Sequence, residues 1–208
     1  MKKVRRVIVW IGLFLLLMSC CSVGLAMGRS EMEEKERIRM DTFFSNFAEV
    51  FLPEFSLDAP DNAALINFGV RHIYINRYHA VKRLDADTMG VSLEDVQNAV
   101  RKYFGRAIIA QSTTQHVYKY GYFHLTPAEG EFAFAQVLEL KKGEQGIWHG
   151  KVAVYQASGG FAGNVHGTVA DWKKTDPELI PELSAVYRVK VSVSPEDTDR
   201  FILREYVK

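Results

Sequence analysis

Residues 7–28 carry no charged side chain, while four of the six residues before them are Lys2, Lys3, Arg5 and Arg6. That arrangement limits the chain more than any other feature. An apolar run of about 20 residues is long enough to cross the hydrocarbon core of a bilayer as a helix. A basic start followed by an apolar stretch is also the pattern of an export signal. In both cases residues 1–28 are an export signal or membrane anchor and lie apart from the globular fold. Everything after them is expected at the extracytoplasmic face of the cell membrane. No acid precedes Glu31, and the four leading positives distort the overall balance. Without them, 22 basic face 25 acidic residues, a net of −3 for the rest of the chain. A mildly acidic body argues against a nucleic-acid partner.

Three outcomes compete for the first segment. Leu17-Met18-Ser19-Cys20 reads as a lipobox, with Cys20 the lipidated residue, although the apolar run continues past it through Val23, Leu25 and Met27. Alternatively the run is retained as a single N-terminal transmembrane helix. Its Lys/Arg-rich flank then stays inside, and Glu31, Glu33 and Glu34 lie outside. Third, Gly24-Leu25-Ala26 serves as a small-x-small cleavage site. Both cysteines, Cys20 and Cys21, fall in this segment. The body therefore has no disulfide, no thiolate nucleophile and no thiolate-ligated metal.

In the body, Ser30 and Glu33 form a capping-box pattern that opens a helix over 31–50. Its first turns are polar, and Phe43, Phe44, Phe47, Val50 and Phe51 follow at helical spacing. This divides the chain into a charged helical stalk over 29–42 and a single domain over 43–208. A second helix is expected over 61–78. A third begins after Ser92, buries Val96, Val100, Tyr103 and Phe104, and ends at Gly105. Short extended pieces at 81–84 and 89–91 flank it. Beyond Gly105 the period changes to two, with strands expected at 115–125, 132–141, 147–157, 185–194 and 201–207. Phe132, Phe134, Leu138 and Leu140 should share one face. Residues 142–146 form a hairpin turn. Helices first and strands joined by short turns afterwards give an α+β fold, with N-terminal helices packed on a curved antiparallel sheet. The architecture is cystatin-like or NTF2-like by analogy.

Few groups in the body point to chemistry. His116, Tyr118, Tyr120, Tyr122 and His124 alternate, so a straight strand would hold the two imidazoles about 26 Å apart. A turn at Tyr120-Gly121 would make them neighbours. His72 and His79 lie two helical turns apart, about 10 Å, too far to chelate one ion. Residues 158–167 hold four glycines, which permit positive φ and outward-facing amides. The Gly-Lys-Ser/Thr ending of a phosphate loop is missing there. Tyr155, His166, Asp171 and Trp172 surround this loop and are the candidate ligand-binding residues. Aromatic faces beside an imidazole and a carboxylate suit a sugar or peptide-like ligand. No G-x-S-x-G, H-E-x-x-H or S-x-x-K motif stands in the body. No metal site, cofactor or catalytic residue is nominated.

Phe43-Phe44-Ser45-Asn46-Phe47-Ala48-Glu49-Val50, Leu65-Ile66-Asn67-Phe68, His72-Ile73-Tyr74-Ile75-Asn76, Tyr103-Phe104-Gly105 and the closing Arg200-Phe201-Ile202-Leu203-Arg204-Glu205-Tyr206 resemble a group of uncharacterised lipoproteins and membrane-anchored proteins of anaerobic and Gram-positive bacteria. The resemblance implies an extracytoplasmic single domain and brings no activity, cofactor or site residue with it. The function expected is a non-enzymatic, membrane-tethered module that binds a ligand or protein partner at the cell envelope. The alternative is a small-molecule hydrolase or isomerase using a His/carboxylate pair between helices and sheet.

Overall fold

The computed structural model describes residues 32–56, 60–127 and 132–208. The export segment, Cys20 and the Ser30 cap lie outside them. Residues 34–208 form one compact unit. The fold is α+β. Among the described residues four α-helices, α1 (Glu34–Ala48), α2 (Asn62–Asn76), α3 (Leu93–Phe104) and α4 (Val169–Thr175), accompany two antiparallel sheets. The smaller sheet has the order β1-β2-β4-β3, from β1 (Lys82–Arg83), β2 (Met89–Ser92), β3 (Val117–Lys119) and β4 (Tyr122–Leu125). The larger is a meander, β5 (Phe132–Lys142), β6 (Ile147–Ala157), β7 (Glu182–Val193) and β8 (Phe201–Val207), paired in sequence order. A β-bulge interrupts each of its three ladders and bends the strands.

The helix ends follow from local chemistry. Asp61 accepts from the Ala64 amide to cap α2, and Ser92 accepts from the Asp95 amide to cap α3. Gly105 ends α3 in the left-handed conformation that its missing Cβ permits, at φ +63°. The end of α1 is less usual. The Leu52 amide reaches the Phe47 carbonyl and the Phe51 amide reaches the Ala48 carbonyl, a Schellman arrangement. The left-handed position, where glycine is common, is filled by Phe51 at φ +53°.

Aromatic side chains build the core. Phe44 and Phe47 of α1, Phe68 of α2 and Phe104 of α3 are buried together, with Phe68 and Phe104 edge-on at 4.9 Å. Burying each such ring stabilises the fold by about 2–3 kcal/mol. α2 and α3 approach closely at Gly69, where a Cβ would lie 2.7 Å from Val96 Cγ1.

α1 also closes the free edge of the larger sheet. The outer amides of β5 have no neighbouring strand, and side chains one helical turn apart satisfy two of them. Asp41 Oδ1 accepts from the Val137 amide at 2.7 Å, and Ser45 Oγ accepts from the Ala135 amide at 2.9 Å. Four residues of helix rise about 6 Å and two residues of strand about 6.6 Å, so the spacings match. A covered edge cannot pair with another chain. On the opposite edge, Phe55 exchanges two backbone hydrogen bonds with Tyr206 of β8.

Several expectations change. α1 docks from its second turn: Met40 and Asp41 are fully buried, so the packed domain starts before Phe43 and takes in the end of the stretch read as a stalk. The strand expected over 115–125 is a hairpin turning at Tyr120 and Gly121, both at positive φ. In β4 it is Phe123 and Leu125, not Tyr122 and His124, that are buried. Strands β1 to β4 form a sheet of their own. The β5 bulge at Leu138 breaks the alternation, leaving that residue exposed rather than in line with Phe132 and Phe134.

Candidate functional site

The glycine-rich loop is strapped to the fold by its backbone carbonyls. Gln136, buried on β5, donates from Nε2 to the Val165 and Gly167 carbonyls at 2.6 and 2.8 Å. Arg37 donates to the His166 carbonyl, and Trp172 Nε1 to the Asn164 carbonyl at 2.7 Å. Four consecutive carbonyls thus find donors on three different elements, the accounting a folded segment requires.

Three of the four side chains expected to bind a ligand here have structural partners. Trp172, 1% exposed, packs edge-on against Tyr155 at 5.1 Å and against Phe134 at 5.6 Å, with Phe161 closing the cluster. Asp171 completes a capping box with Thr168 at the start of α4, and those hydrogen bonds hold its carboxyl below the usual range. Tyr155 and Trp172 are brought together, but as a packed cluster covering one end of the larger sheet.

His166 points elsewhere. Its Nδ1 lies 3.2 Å from Asp41 Oδ2, which Arg37 also meets at 3.3 Å. The Asp41 side chain is wholly buried, and loss of water raises its carboxyl above 3.8 against the opposing pull of the Val137 amide, His166 and Arg37. A carboxylate accepting from Nδ1 fixes an imidazole's orientation and leaves Nε2 as its second polar atom.

A cleft of about 760 Å³ opens between α2, the smaller sheet and the start of β5. This volume lies in the range of small-molecule sites, about 300–1,000 Å³. Tyr74, Ile75, Leu125, Phe132 and Ala133 supply apolar walls; Glu49, Arg71, Gln115, His116 and Thr126 supply polar groups. Arg71 lies over the Phe51 ring, 5.6 Å from its centroid. No carboxylate among the described residues pairs with it. Glu49 Oε1 accepts from Asn76 Nδ2, whose amide also meets His72 Nδ1 at 3.2 Å. An amide nitrogen only donates, so His72 Nδ1 accepts and the proton sits on Nε2. His72 itself is buried, stacked on Phe68 at 5.5 Å.

His116 is 7% exposed. Its Nδ1 meets the His124 carbonyl at 3.2 Å, so Nδ1 donates and Nε2 carries a lone pair. That Nε2 is buried with no hydrogen-bond partner among the described residues. Burial, opposed by the His124 carbonyl and helped by the nearby Arg71, pushes the imidazole below its usual range. The hairpin thus makes His116 and His124 neighbours through a backbone carbonyl rather than as two ligands. Among the described residues no group of three or more His, Cys, Asp or Glu is placed to hold a metal ion.

Sequence spacing did not reveal this cleft, because its polar groups come from α2, the end of α1 and the approach to β3. The one available signal was Phe51: a bulky aromatic just after a helix, where the chain needs a turn. Compared with protein families, curated proteins and solved structures, the chain matches none. The comparisons give no support to the cystatin-like or NTF2-like analogy.

Proposed function

We propose that this protein is a membrane-tethered, extracytoplasmic binding module whose small-molecule ligand enters the cleft between α2 and the smaller sheet. The observation that carries the reading is the cleft itself, which combines apolar walls with a cation that has no carboxylate partner among the described residues and a buried imidazole acceptor. An unmet buried acceptor costs about 1–3 kcal/mol, which a bound donor offsets. The basic-then-apolar start supports the tether. Among the described residues no helix is long and apolar enough to cross a membrane, and on this reading the tether is residues 1–28.

The test is a ligand-observed NMR screen of polar metabolites against the full chain in detergent, repeated with Gln115→Trp. Gln115 is exposed at the cleft wall, so an indole there obstructs the cleft and spares the core. Hits that vanish in Gln115→Trp support the reading. A screen whose hits are all indifferent to the substitution rejects it.

A second reading, the hydrolase or isomerase, is favoured by one observation, the Asp41–His166 contact. There His166 is the base and Asp41 its orienting partner. Turnover of chromogenic esters that disappears in His166→Gln, with the fold intact, would support it.

A further inference from the structure

The cleft presents opposite charges that its own surroundings leave unmatched. Arg71 rests on an aromatic face and has no carboxylate partner among the described residues. Glu49 Oε1 is engaged by Asn76 and lies 3.8 Å from His72 Nδ1, and among the described residues no hydrogen bond is made to its other oxygen. A ligand of a single sign gains at one of these groups and is repelled at the other. A neutral ligand leaves both unpaired when it displaces their water. A zwitterion matches both. The same cleft is walled by Tyr74, Ile75, Leu125 and Phe132, which favour an apolar body. The lone pair of His116 Nε2 seeks an N–H donor.

The residue under Arg71 is itself unusual. Phe51 occupies a left-handed conformation that disfavours any residue with a Cβ, and glycine would fill it without strain. Its ring is 54% exposed, so core packing does not account for it. What the ring does is support the Arg71 guanidinium. Strain retained beside a charged cleft is the usual mark of a site.

We infer that the cleft binds a small zwitterion with an apolar side chain, an apolar α-amino acid or dipeptide, its carboxylate on Arg71 and its ammonium on Glu49. This rests on the reading of the cleft as the ligand site. The probes are L-phenylalanine and L-leucyl-L-phenylalanine, titrated calorimetrically into the full chain. Against them stand 3-phenylpropionate, which lacks the ammonium, and 2-phenylethylamine, which lacks the carboxylate. At least one zwitterion is expected to bind with one-to-one stoichiometry, and both truncated analogues at least ten-fold more weakly. Arg71→Gln should remove the advantage of the zwitterion over 2-phenylethylamine, and Glu49→Gln its advantage over 3-phenylpropionate. Glutamine at 49 still accepts from Asn76, so the local fold is kept. Which of the two zwitterions binds more tightly decides between amino acid and dipeptide.

A truncated analogue binding as tightly as both zwitterions, or no zwitterion binding to a chain with native circular dichroism, overturns the inference. If the zwitterions fail while other metabolites bind and are lost in Gln115→Trp, the ligand class is wrong and the cleft stands. If a zwitterion binds equally well to Gln115→Trp, its site is elsewhere and both readings fall.

Discussion

Asp41 serves the β5 edge, Arg37 and His166 at once, so its replacements separate those roles. Asp41→Ala leaves the Val137 amide without an acceptor in a buried place and should cost about 3 kcal/mol in urea denaturation. Asp41→Asn keeps an oxygen for that amide and should cost about half as much. The pH dependence has a definite sign. Burial raises the Asp41 carboxyl above 3.8, so the folded protein holds this proton more tightly than the unfolded chain. The stability that the group contributes is fully present below about pH 3.8 and is lost as pH rises through the higher folded value. Asn does not titrate, so the margin of the wild type over Asp41→Asn should narrow from pH 3.5 to 7. A margin that widens would refute this account of the burial. Phe51 gives the opposite kind of result at the same scale. Phe51→Gly relieves the left-handed strain and should raise stability by about 0.5–1 kcal/mol. It also removes the ring under Arg71, so the gain in thermal melting should come with weaker binding of any ligand that Arg71 holds.

At the level of elements, the loop and α4 act as one cover on the larger sheet, with Trp172 as the shared contact. Trp172→Ala should cost about 3–5 kcal/mol. Hydrogen exchange should quicken first at residues 164–175, since the ring and the Nε1 bond to Asn164 are lost together. Uniform quickening across the meander would mean that the cover and the sheet unfold as one unit. Gly69→Ala tests the other helical contact. Its Cβ would meet Val96 Cγ1 at 2.7 Å and the Val96 carbonyl oxygen at 3.2 Å, forcing α2 and α3 apart at a cost of about 1–3 kcal/mol. How much of this was legible depended on whether the signal was local. Caps and periods are local, so α3 between Ser92 and Gly105, and β6 over 147–157, match their expected limits. The Asp41 and Ser45 clasp was not legible: two polar residues one turn apart read as a solvated face until a strand edge lies beside them. The aromatics around the glycine-rich loop read equally as a binding face or a buried cluster, and composition does not separate the two. The cleft unites groups more than 60 residues apart in the chain, from Glu49 to Phe132, and no spacing rule reaches that far.

At the scale of the whole molecule, the formal charge of +1 joins two parts with different tasks. Under the proposed tether, Lys2, Lys3, Arg5 and Arg6 would be the basic flank that keeps the chain's start on the cytoplasmic side by the positive-inside rule. The remaining net of −3 belongs mostly to a body without cysteine, whose stability rests on aromatic packing and on edges closed by α1 and Phe55. Such a body folds without an oxidant, so its thermal melting should be unchanged by a reductant. The tether has a sharper test, because its three possible fates leave different masses. Lipidation gives a membrane-bound chain beginning at a diacylated Cys20. Retention gives an intact chain beginning at Met1, and release gives a soluble chain beginning near Met27. Intact-mass measurement of membrane and soluble fractions, with Cys20→Ala alongside, separates all three. Under the proposed tether the protein stays in the membrane fraction: at its lipidated mass with loss of that mass in Cys20→Ala, or at full length and indifferent to the substitution. A soluble chain beginning near Met27 would overturn the tether but leave the cleft untouched, since every residue lining it comes after Ala48.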